Sequence, residues 1–234
     1  MRFSISFLTY LLFFTFIQYG SEDPIIKDVE YVSLGWNCFN ARQLRHYKVY
    51  GIRKAAYPFD WNQTSLNGLC SVLLDNFFDF FNPDYLVKSM PGAVGIFNKK
   101  YNITMAHDFE VFGNITEKNF LQFLPTIQKK YERRIKRLYN VCNTARHVYF
   151  FRTAPSHRDT NFLKYDIPHT KKQIERLRNI LLELFPQKNW TLIASCSDEE
   201  YKDDWGMEQV KNFYVDNDES KNDFKIILEK LNII

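Results

Sequence analysis

The composition of the 234-residue chain is that of a folded globular protein, with 45% hydrophobic, 17% aromatic and 25% charged residues. Eight Gly, eight Pro and four Cys exclude collagen-like, low-complexity and disulfide-scaffold classes. With 31 basic and 27 acidic residues the net charge is only +4, which is too balanced to indicate a nucleic-acid partner. A chain of this length can form one domain with a substantial hydrophobic core.

The N-terminal 20 residues have the pattern of a secretory signal peptide. Arg2 precedes an apolar, aromatic-rich stretch over residues 3–17, and the small residues Gly20 and Ser21 permit cleavage. This stretch is shorter than the roughly 20 residues of a typical membrane-spanning helix, so an uncleaved signal anchor, with a membrane contact, is the alternative. We expect a protein that is secreted or lies in the endomembrane lumen.

Four Asn-x-Ser/Thr sequons are consistent with that compartment, because such sequons accept N-linked glycans on the surface loops of secreted proteins. The four acceptor residues are Asn62, Asn102, Asn114 and Asn189. The first three are expected in turns or at solvated strand positions. We therefore expect a glycan on at least one of those three.

The first half of the mature chain alternates strands and helices. A buried strand over residues 31–35 ends in Gly35 and precedes a helix that runs from Asn37 to about Tyr47. A second helix is predicted over residues 66–80, where apolar residues keep the spacing of a buried stripe. This part of the chain therefore predicts a strand–turn–helix unit followed by a further helix.

A β-hairpin is predicted around residues 98–100, and the alternation of its second strand points His107 inward and Asp108 to solvent. The later elements are predicted from apolar spacing, aromatic runs and a Thr170/Gln173 capping box. They are a helical region over residues 120–138 that Pro125 divides, strands over 148–151, 190–196 and 213–215, and helices from Thr170 and over 224–231.

Strands that alternate with helices predict an α/β fold. We expect a single domain over residues 25–234, with a mostly parallel sheet, helices on both faces and one β-hairpin. Ligands of such sheets bind beyond the carboxyl ends of the strands. We therefore expect the functional site near residues 35–38, 152–153 and 195–196.

Cys38 is the candidate nucleophile. It lies in the first turn of the predicted helix, where N–H groups and the helix dipole stabilise a thiolate and could hold an oxyanion. The structural alternatives are a buried small hydrophobic residue and one half of a disulfide. We expect a free thiol at Cys38, with at most one disulfide among Cys70, Cys142 and Cys196.

His107 is the candidate base, because of the five His it alone is predicted to point inward from a strand. Asp60, in a tight Pro-Phe-Asp-Trp segment, is the candidate that orients the ring of His107. Asn37 could join the N–H of Cys38 in holding the oxyanion. The alternatives are a core histidine bonded to backbone and a turn or cap role for Asp60.

Neither a cofactor nor a metal site is predicted. The chain has no Cys-x-x-Cys, no His/Cys cluster at zinc spacing and no phosphate-binding glycine loop. The six basic residues between Lys129 and Arg137 are expected to form a solvated helix face, with binding to an anionic membrane or glycan as the alternative.

Several of these segments together resemble a domain family catalogued as papain-like cysteine peptidases. The resemblance covers most of residues 30–215, and its most specific parts are Ser-Leu-Gly-x-x-Cys at residues 33–38 and Pro-Phe-Asp-Trp at residues 58–61. Further matching segments are Ala41, Leu44-Arg45, His107-Asp108-Phe109, residues 131–134 and residues 148–152. The resemblance implies a cysteine-centred site with Cys38 as nucleophile and His107 as base.

Two features differ from papain itself. The papain pattern has a Gln shortly before the Cys, which residues 32–34 lack, and a papain core contains an antiparallel barrel. We predict a secreted or luminal thiol-dependent hydrolase or acyl transferase whose partner is a peptide or amide substrate. The alternatives are a luminal glycan-modifying transferase, in which Arg152 grips a phosphate or carboxylate, and a non-catalytic secreted glycoprotein.

Overall fold

A computed structural model describes residues 29–49, 56–88, 95–105, 107–113, 115–154, 169–187, 189–216 and 220–234. The predicted signal peptide and the sequon residue Asn114 lie outside the described residues. No helix within the described ranges is long and apolar enough to cross a membrane.

Eight β-strands and five α-helices are found in the described residues. The strands are β1 (Val29–Ser33), β2 (Asn62–Thr64), β3 (Leu86–Lys88), β4 (Ile96–Asn98), β5 (Ile103–Met105), β6 (His147–Thr153), β7 (Trp190–Cys196) and β8 (Val210–Tyr214). The helices are α1 (Phe39–His46), α2 (Leu66–Leu74), α3 (Leu124–Thr144), α4 (Lys171–Leu184) and α5 (Lys221–Lys230).

Four of the strands form a parallel sheet in the order β1-β6-β7-β8. Alternate side chains of its inner strands enter two different hydrophobic clusters. On one face Val148, Phe150 and Leu192 pack with residues of α2, α3 and α4. On the other face Phe151 and Ile193 pack with residues of α1 and α5. The predicted α/β fold, with a parallel sheet and helices on both faces, is therefore confirmed.

The predicted hairpin is part of a second, antiparallel sheet in the order β2-β5-β4-β3. The sequence did not predict β2 and β3, which have three residues each. Gly68 of α2 packs on the turn that joins β4 and β5 of this sheet. A Cβ at Gly68 would lie 1.7 Å from the backbone oxygen of Tyr101, so a glycine is required for this close approach.

The helix predicted over residues 66–80 is shorter than expected and ends at Leu74. Asn76 and Phe77 have positive φ values of 49° and 60°, which an α-helix does not allow. Phe80 still reaches the core, but on a turn. Apolar spacing therefore identified the buried side chains correctly and the backbone conformation wrongly.

Two other helix boundaries are confirmed. Pro125 lies in the first turn of α3, directly after the 3-10 helix Phe120–Phe123, where the missing N–H of proline costs no hydrogen bond. The capping box at the start of α4 is complete, since Thr170 and Gln173 each bond the backbone of the other.

Candidate functional site

Cys38 lies where the parallel sheet meets α1. It is the N-cap residue of α1, and its thiol is free and partly exposed. Gly35 and Trp36, with φ values of 80° and 83°, turn the chain between β1 and α1. A Cβ at Gly35 would lie 2.5 Å from Thr64 Oγ1, so the turn requires glycine. The strand–turn–helix geometry predicted around Cys38 is confirmed.

Asn37 and Asn40 hold the start of α1 in place. Asn37 Oδ1 accepts a hydrogen bond of 2.7 Å from the N–H of Phe39. Asn40 Nδ2 donates to the backbone oxygen of Phe151, and Asn40 Oδ1 accepts from the hydroxyl of Thr153 at 2.7 Å. Because the side-chain oxygen of Asn37 serves as a cap, a role in binding an oxyanion would belong to its Nδ2 group.

The inward orientation predicted for His107 is wrong. β5 ends at Met105, and the His107 side chain is 44% exposed. Its Nδ1 lies 2.9 Å from Glu110 Oε1, and its ring contacts the ring of Trp61 edge-on, at 5.9 Å between centroids. The alternation of side chains holds only within an extended strand, and His107 lies beyond the end of β5.

Asp108 is the residue that points inward, in contrast to its predicted solvated position. Its carboxylate is 2% exposed, accepts a hydrogen bond from the hydroxyl of Tyr131, and lies 2.5 Å from Lys130 Nζ and 3.4 Å from an Arg134 nitrogen. The three partners belong to α3. Asp108 therefore ties the loop after β5 to the longest helix of the structure.

The sequence predicted that the basic residues of α3 form a solvated face. The structure shows that some of them contact the rest of the protein instead. Lys130 and Arg134 turn toward Asp108, and Arg134 is buried. Arg137 donates to the backbone oxygen of Ala56. These three side chains are one or two turns apart, so a single stripe of α3 carries them toward the rest of the protein.

Asp60 is completely buried. Its Oδ2 accepts a hydrogen bond of 2.9 Å from the N–H of Tyr57, and its Oδ1 has no partner among the described residues. Burial raises the pKa of Asp60 to about 7, although the Tyr57 N–H and the charges of Arg134 and Arg45 favour the ionised form. No hydrogen bond joins Asp60 to His107 in the described part of the chain, so the contact expected of an orienting residue is missing.

Trp61, next to Asp60, connects α1 with the loop that carries His107. The guanidinium of Arg45, in the last turn of α1, lies 4.5 Å from the centre of the Trp61 ring. His107 contacts the edge of the same ring. None of Trp61, Arg45 and Glu110 is among the site residues that the sequence predicted. Residues three apart face each other on a helix but not on the strand predicted here, so the sequence carried no signal for the pairing of His107 with Glu110.

A residue that binds an anion is expected to have its charged group at the surface. Arg152 is instead buried. It donates to the backbone oxygen of Leu34 at 3.1 Å, to Thr64 Oγ1 at 2.6 Å and to the Thr64 backbone oxygen at 2.8 Å. It therefore joins the two sheets. The alternative of a glycan-modifying transferase relied on an accessible Arg152, and the burial of this residue does not favour it.

His169 is buried beside Arg152. Its Nε2 lies 3.3 Å from an Arg152 nitrogen. Because arginine can only donate, Nε2 of His169 is the acceptor and the ring is neutral. Burial and the charge of Arg152 hold the pKa of His169 well below its ordinary value. His169 therefore supports the buried arginine as a neutral acceptor.

These residues fall within a segment that matches a known protein family. A family model described as "Putative papain-like cysteine peptidase (DUF1796)" matches residues 29–182. The chain belongs to this family. The resemblance found in the sequence is thereby confirmed, while no curated protein and no solved structure has a significant match to the chain.

The family segment begins with β1 and ends within α4. It includes the whole antiparallel sheet, the Cys38 turn, Asp60 and the loop of His107 and Glu110. The strands β7 and β8 and the helix α5 follow it. The family description gives the reaction class of a cysteine peptidase, and the roles of individual residues depend on the geometry around Cys38.

In two of the sequons, the side chain of the asparagine forms hydrogen bonds within the folded protein. Asn62, expected in a solvated turn, is buried: its Nδ2 donates to the Pro58 backbone oxygen, and its Oδ1 lies 2.8 Å from the hydroxyl oxygen of Tyr131. Asn189 Nδ2 donates to a backbone oxygen at 2.6 Å. Asn102 is half-buried in the turn between β4 and β5, with a φ of 51°. The expectation of a solvated Asn62 is therefore wrong.

A metal centre has no support in the described residues, which contain no group of three or more His, Cys, Asp and Glu side chains placed to hold an ion. Cys70, Cys142 and Cys196 are buried thiols. Cys38 is the one partly exposed thiol in the described part of the chain.

Proposed function

We propose that the protein is a thiol-dependent hydrolase or acyl transferase that acts on a peptide or amide bond, with Cys38 as nucleophile and His107 as base. The observation that carries the proposal is the position of Cys38, a free and partly exposed thiol at the N-cap of α1. N–H groups at a helix start favour both a thiolate and an oxyanion. The family description supports the same reaction class.

Contacts along one side of α1 support a common site for Cys38 and His107. Cys38 and Arg45 are seven residues apart, about two turns, and therefore lie on the same side of the helix. The Arg45 guanidinium covers Trp61, and His107 contacts the edge of that ring. Helical side chains tilt toward the N-terminus, so Arg45 leans toward the end of α1 that carries Cys38.

In the proposed reaction, His107 accepts the proton of the Cys38 thiol and the sulfur attacks the carbonyl carbon of the substrate. The N–H of Cys38 and the Nδ2 group of Asn37 donate hydrogen bonds to the oxyanion. His107 then returns the proton to the leaving nitrogen, and an acyl thioester remains on Cys38. Water, or an acceptor nucleophile in an acyl transfer, releases the acyl group and restores the thiol.

The compartment is also part of the proposal. The signal-peptide pattern of residues 1–20 supports a secreted or luminal enzyme, with a peptide or amide of that compartment as its substrate.

Alkylation with iodoacetamide tests the nucleophile and the base without a known substrate. We expect Cys38 to react at neutral pH faster than glutathione, and far faster than the buried Cys70, Cys142 and Cys196. Replacing His107 with Ala should slow the alkylation of Cys38 about tenfold or more, because the group that withdraws the thiol proton is lost. Peptide mapping by mass spectrometry measures each rate.

His46→Ala is the matched control, because His46 is another exposed histidine, in the last turn of α1, with its ring against Tyr47. This variant should keep the wild-type rate. Equal rates for wild type and His107→Ala would reject His107 as the base. A Cys38 thiol that reacts no faster than glutathione would reject the nucleophile.

A further inference from the structure

The loop after β5 contains a carboxylate that the catalytic hypothesis had not used. Glu110 is the first residue of the 3-10 helix Glu110–Phe112, and its Oε1 lies 2.9 Å from His107 Nδ1. An ionised carboxylate can only accept, so this hydrogen bond requires the proton on Nδ1. A neutral ring with its proton on Nδ1 has its lone pair on Nε2. Nε2 is then the atom that can accept the thiol proton.

The backbone between the two partners is fixed by buried side chains. Asp108 is held by Lys130, Arg134 and Tyr131 of α3. Phe109 is fully buried and packs edge-on against a ring of the following 3-10 helix. Because these two residues are anchored in the core, His107 and Glu110 are held on the outer side of one rigid segment, although their side chains are 44% and 47% exposed.

Trp61 limits the ring of His107 on another side. The two rings meet at an interplanar angle of 88°. Trp61 is itself covered by Arg45 of α1, the helix that begins at Cys38. The imidazole of His107 is therefore oriented by one hydrogen bond and by one aromatic contact, and the aromatic contact leads toward the helix of the proposed nucleophile.

The geometry points to Glu110, and not Asp60, as the positioning residue that holds His107 in the tautomer needed to take the proton from Cys38. This inference rests on the proposed function of Cys38 and His107. Asp60 is buried, and its Oδ2 is occupied by the N–H of Tyr57. Glu110 makes with His107 the kind of contact that an orienting carboxylate makes in a nucleophile–base–carboxylate triad.

Nitrogen-15 NMR of the histidine rings tests the pairing directly. The His107 signals are assigned by their loss in His107→Ala. In the wild type at a pH where the ring is neutral, we expect the proton on Nδ1. Glu110→Ala should shift the population toward the Nε2–H form, whereas Glu110→Gln should retain the wild-type tautomer, because the amide oxygen of Gln can still accept from Nδ1.

The alkylation rate of Cys38 at neutral pH tests the consequence for the thiol. Glu110→Ala should slow the reaction about tenfold, and Glu110→Gln should restore most of the rate, since orientation and not charge is required. Glu199→Ala is the matched control. Glu199 is likewise an exposed acid at the start of a 3-10 helix, and it pairs with a base three residues away in the sequence, here Lys202 at 2.7 Å. Its loss should leave the rate unchanged.

The outcomes separate this inference from the proposed function. If His107→Ala slows alkylation and Glu110→Ala does not, or if the tautomer of His107 is the same in wild type and Glu110→Ala, Glu110 is not the positioning residue while the Cys38–His107 proposal stands. A change of tautomer in Asp60→Asn but not in Glu110→Ala would give the role to Asp60. If His107→Ala leaves alkylation unchanged, the proposed function fails, and the positioning role fails with it.

Discussion

Asp60 is a carboxyl group in the core, and its ionisation opposes folding. Burial raises its pKa from the ordinary value of 3.8 to about 7. Below about pH 4 the group is neutral in both the folded and the unfolded chain. Between about pH 4 and 7 the unfolded chain ionises while the folded chain keeps the proton, so the free energy of unfolding falls as the pH rises. Above about pH 7 the loss is complete.

Asp60→Asn should therefore become more stable relative to wild type as the pH rises from about 4 to 7, by up to a few kcal/mol, because Asn cannot ionise. Urea unfolding at several pH values measures the difference. Asp84→Asn, which changes an exposed carboxyl, is the control and should show no comparable trend. A stability difference that is the same at pH 4 and pH 7 would contradict the burial of an uncompensated carboxyl at Asp60.

At the scale of elements, the contact between α2 and the antiparallel sheet depends on one missing side chain. Replacing a helical glycine with alanine ordinarily stabilises a protein by up to about 1 kcal/mol. Gly68→Ala should instead destabilise it by about 2 kcal/mol or more, because the new Cβ would lie 1.7 Å from the Tyr101 backbone oxygen and would force α2 away from the sheet. Thermal unfolding measures whether Gly68→Ala is less or more stable than wild type.

Ser71→Ala, on the same helix, is the control for this prediction, because serine already has the Cβ that alanine keeps. Its free energy of unfolding should stay within about 0.5 kcal/mol of wild type. A Gly68→Ala variant that is as stable as wild type would mean that α2 does not approach the sheet as closely as the structure has it.

Helix α3 shows how far the pattern within one element can be interpreted. Its apolar stripe, with Ile127, Tyr131 and Leu138 buried, follows from the spacing. The spacing did not indicate that Lys130 and Arg134 would turn inward beside that stripe. Their partner Asp108 lies more than 20 residues away in another element, and a charged residue is buried only when such a partner neutralises it.

At the scale of the whole molecule, the sequons and the fold together predict which asparagines carry glycans. In a secretory host we expect a mature chain that begins near residue 21, with a glycan on Asn102 or Asn114. Asn62 should be unmodified in the folded protein, because its amide is buried in the core, where Nδ2 donates to Pro58 and Oδ1 contacts the Tyr131 hydroxyl. Intact mass before and after glycosidase digestion, followed by peptide mapping, measures all three sites.

Asn62→Gln is the control for the glycan prediction and should leave the glycan mass unchanged. An unglycosylated product that retains Met1 would contradict both the signal peptide and the glycans. A folded protein with a glycan on Asn62 would contradict the burial of this residue beside Tyr131.

The sequence by itself determined the features that have a local cause. The turn between β1 and α1 places Cys38 at a helix start, and the capping box of Thr170 begins α4 where predicted. The run of residues 190–196 forms β7 with the predicted bounds. These features depend on backbone dihedral preferences and on apolar spacing within a few residues, so a single segment carries enough information to predict them.

Only the tertiary structure decided which side chains meet at the candidate site. The exposure of His107, its pairing with Glu110 and the burial of Asp108 and Asn62 all follow from the packing of the β5 loop and β2 against α3. The buried partner of both Asp108 and Asn62 is Tyr131, which is 23 residues from the first and 69 from the second. The burial of a polar group depends on the groups that satisfy it, and here those groups come from distant parts of the chain.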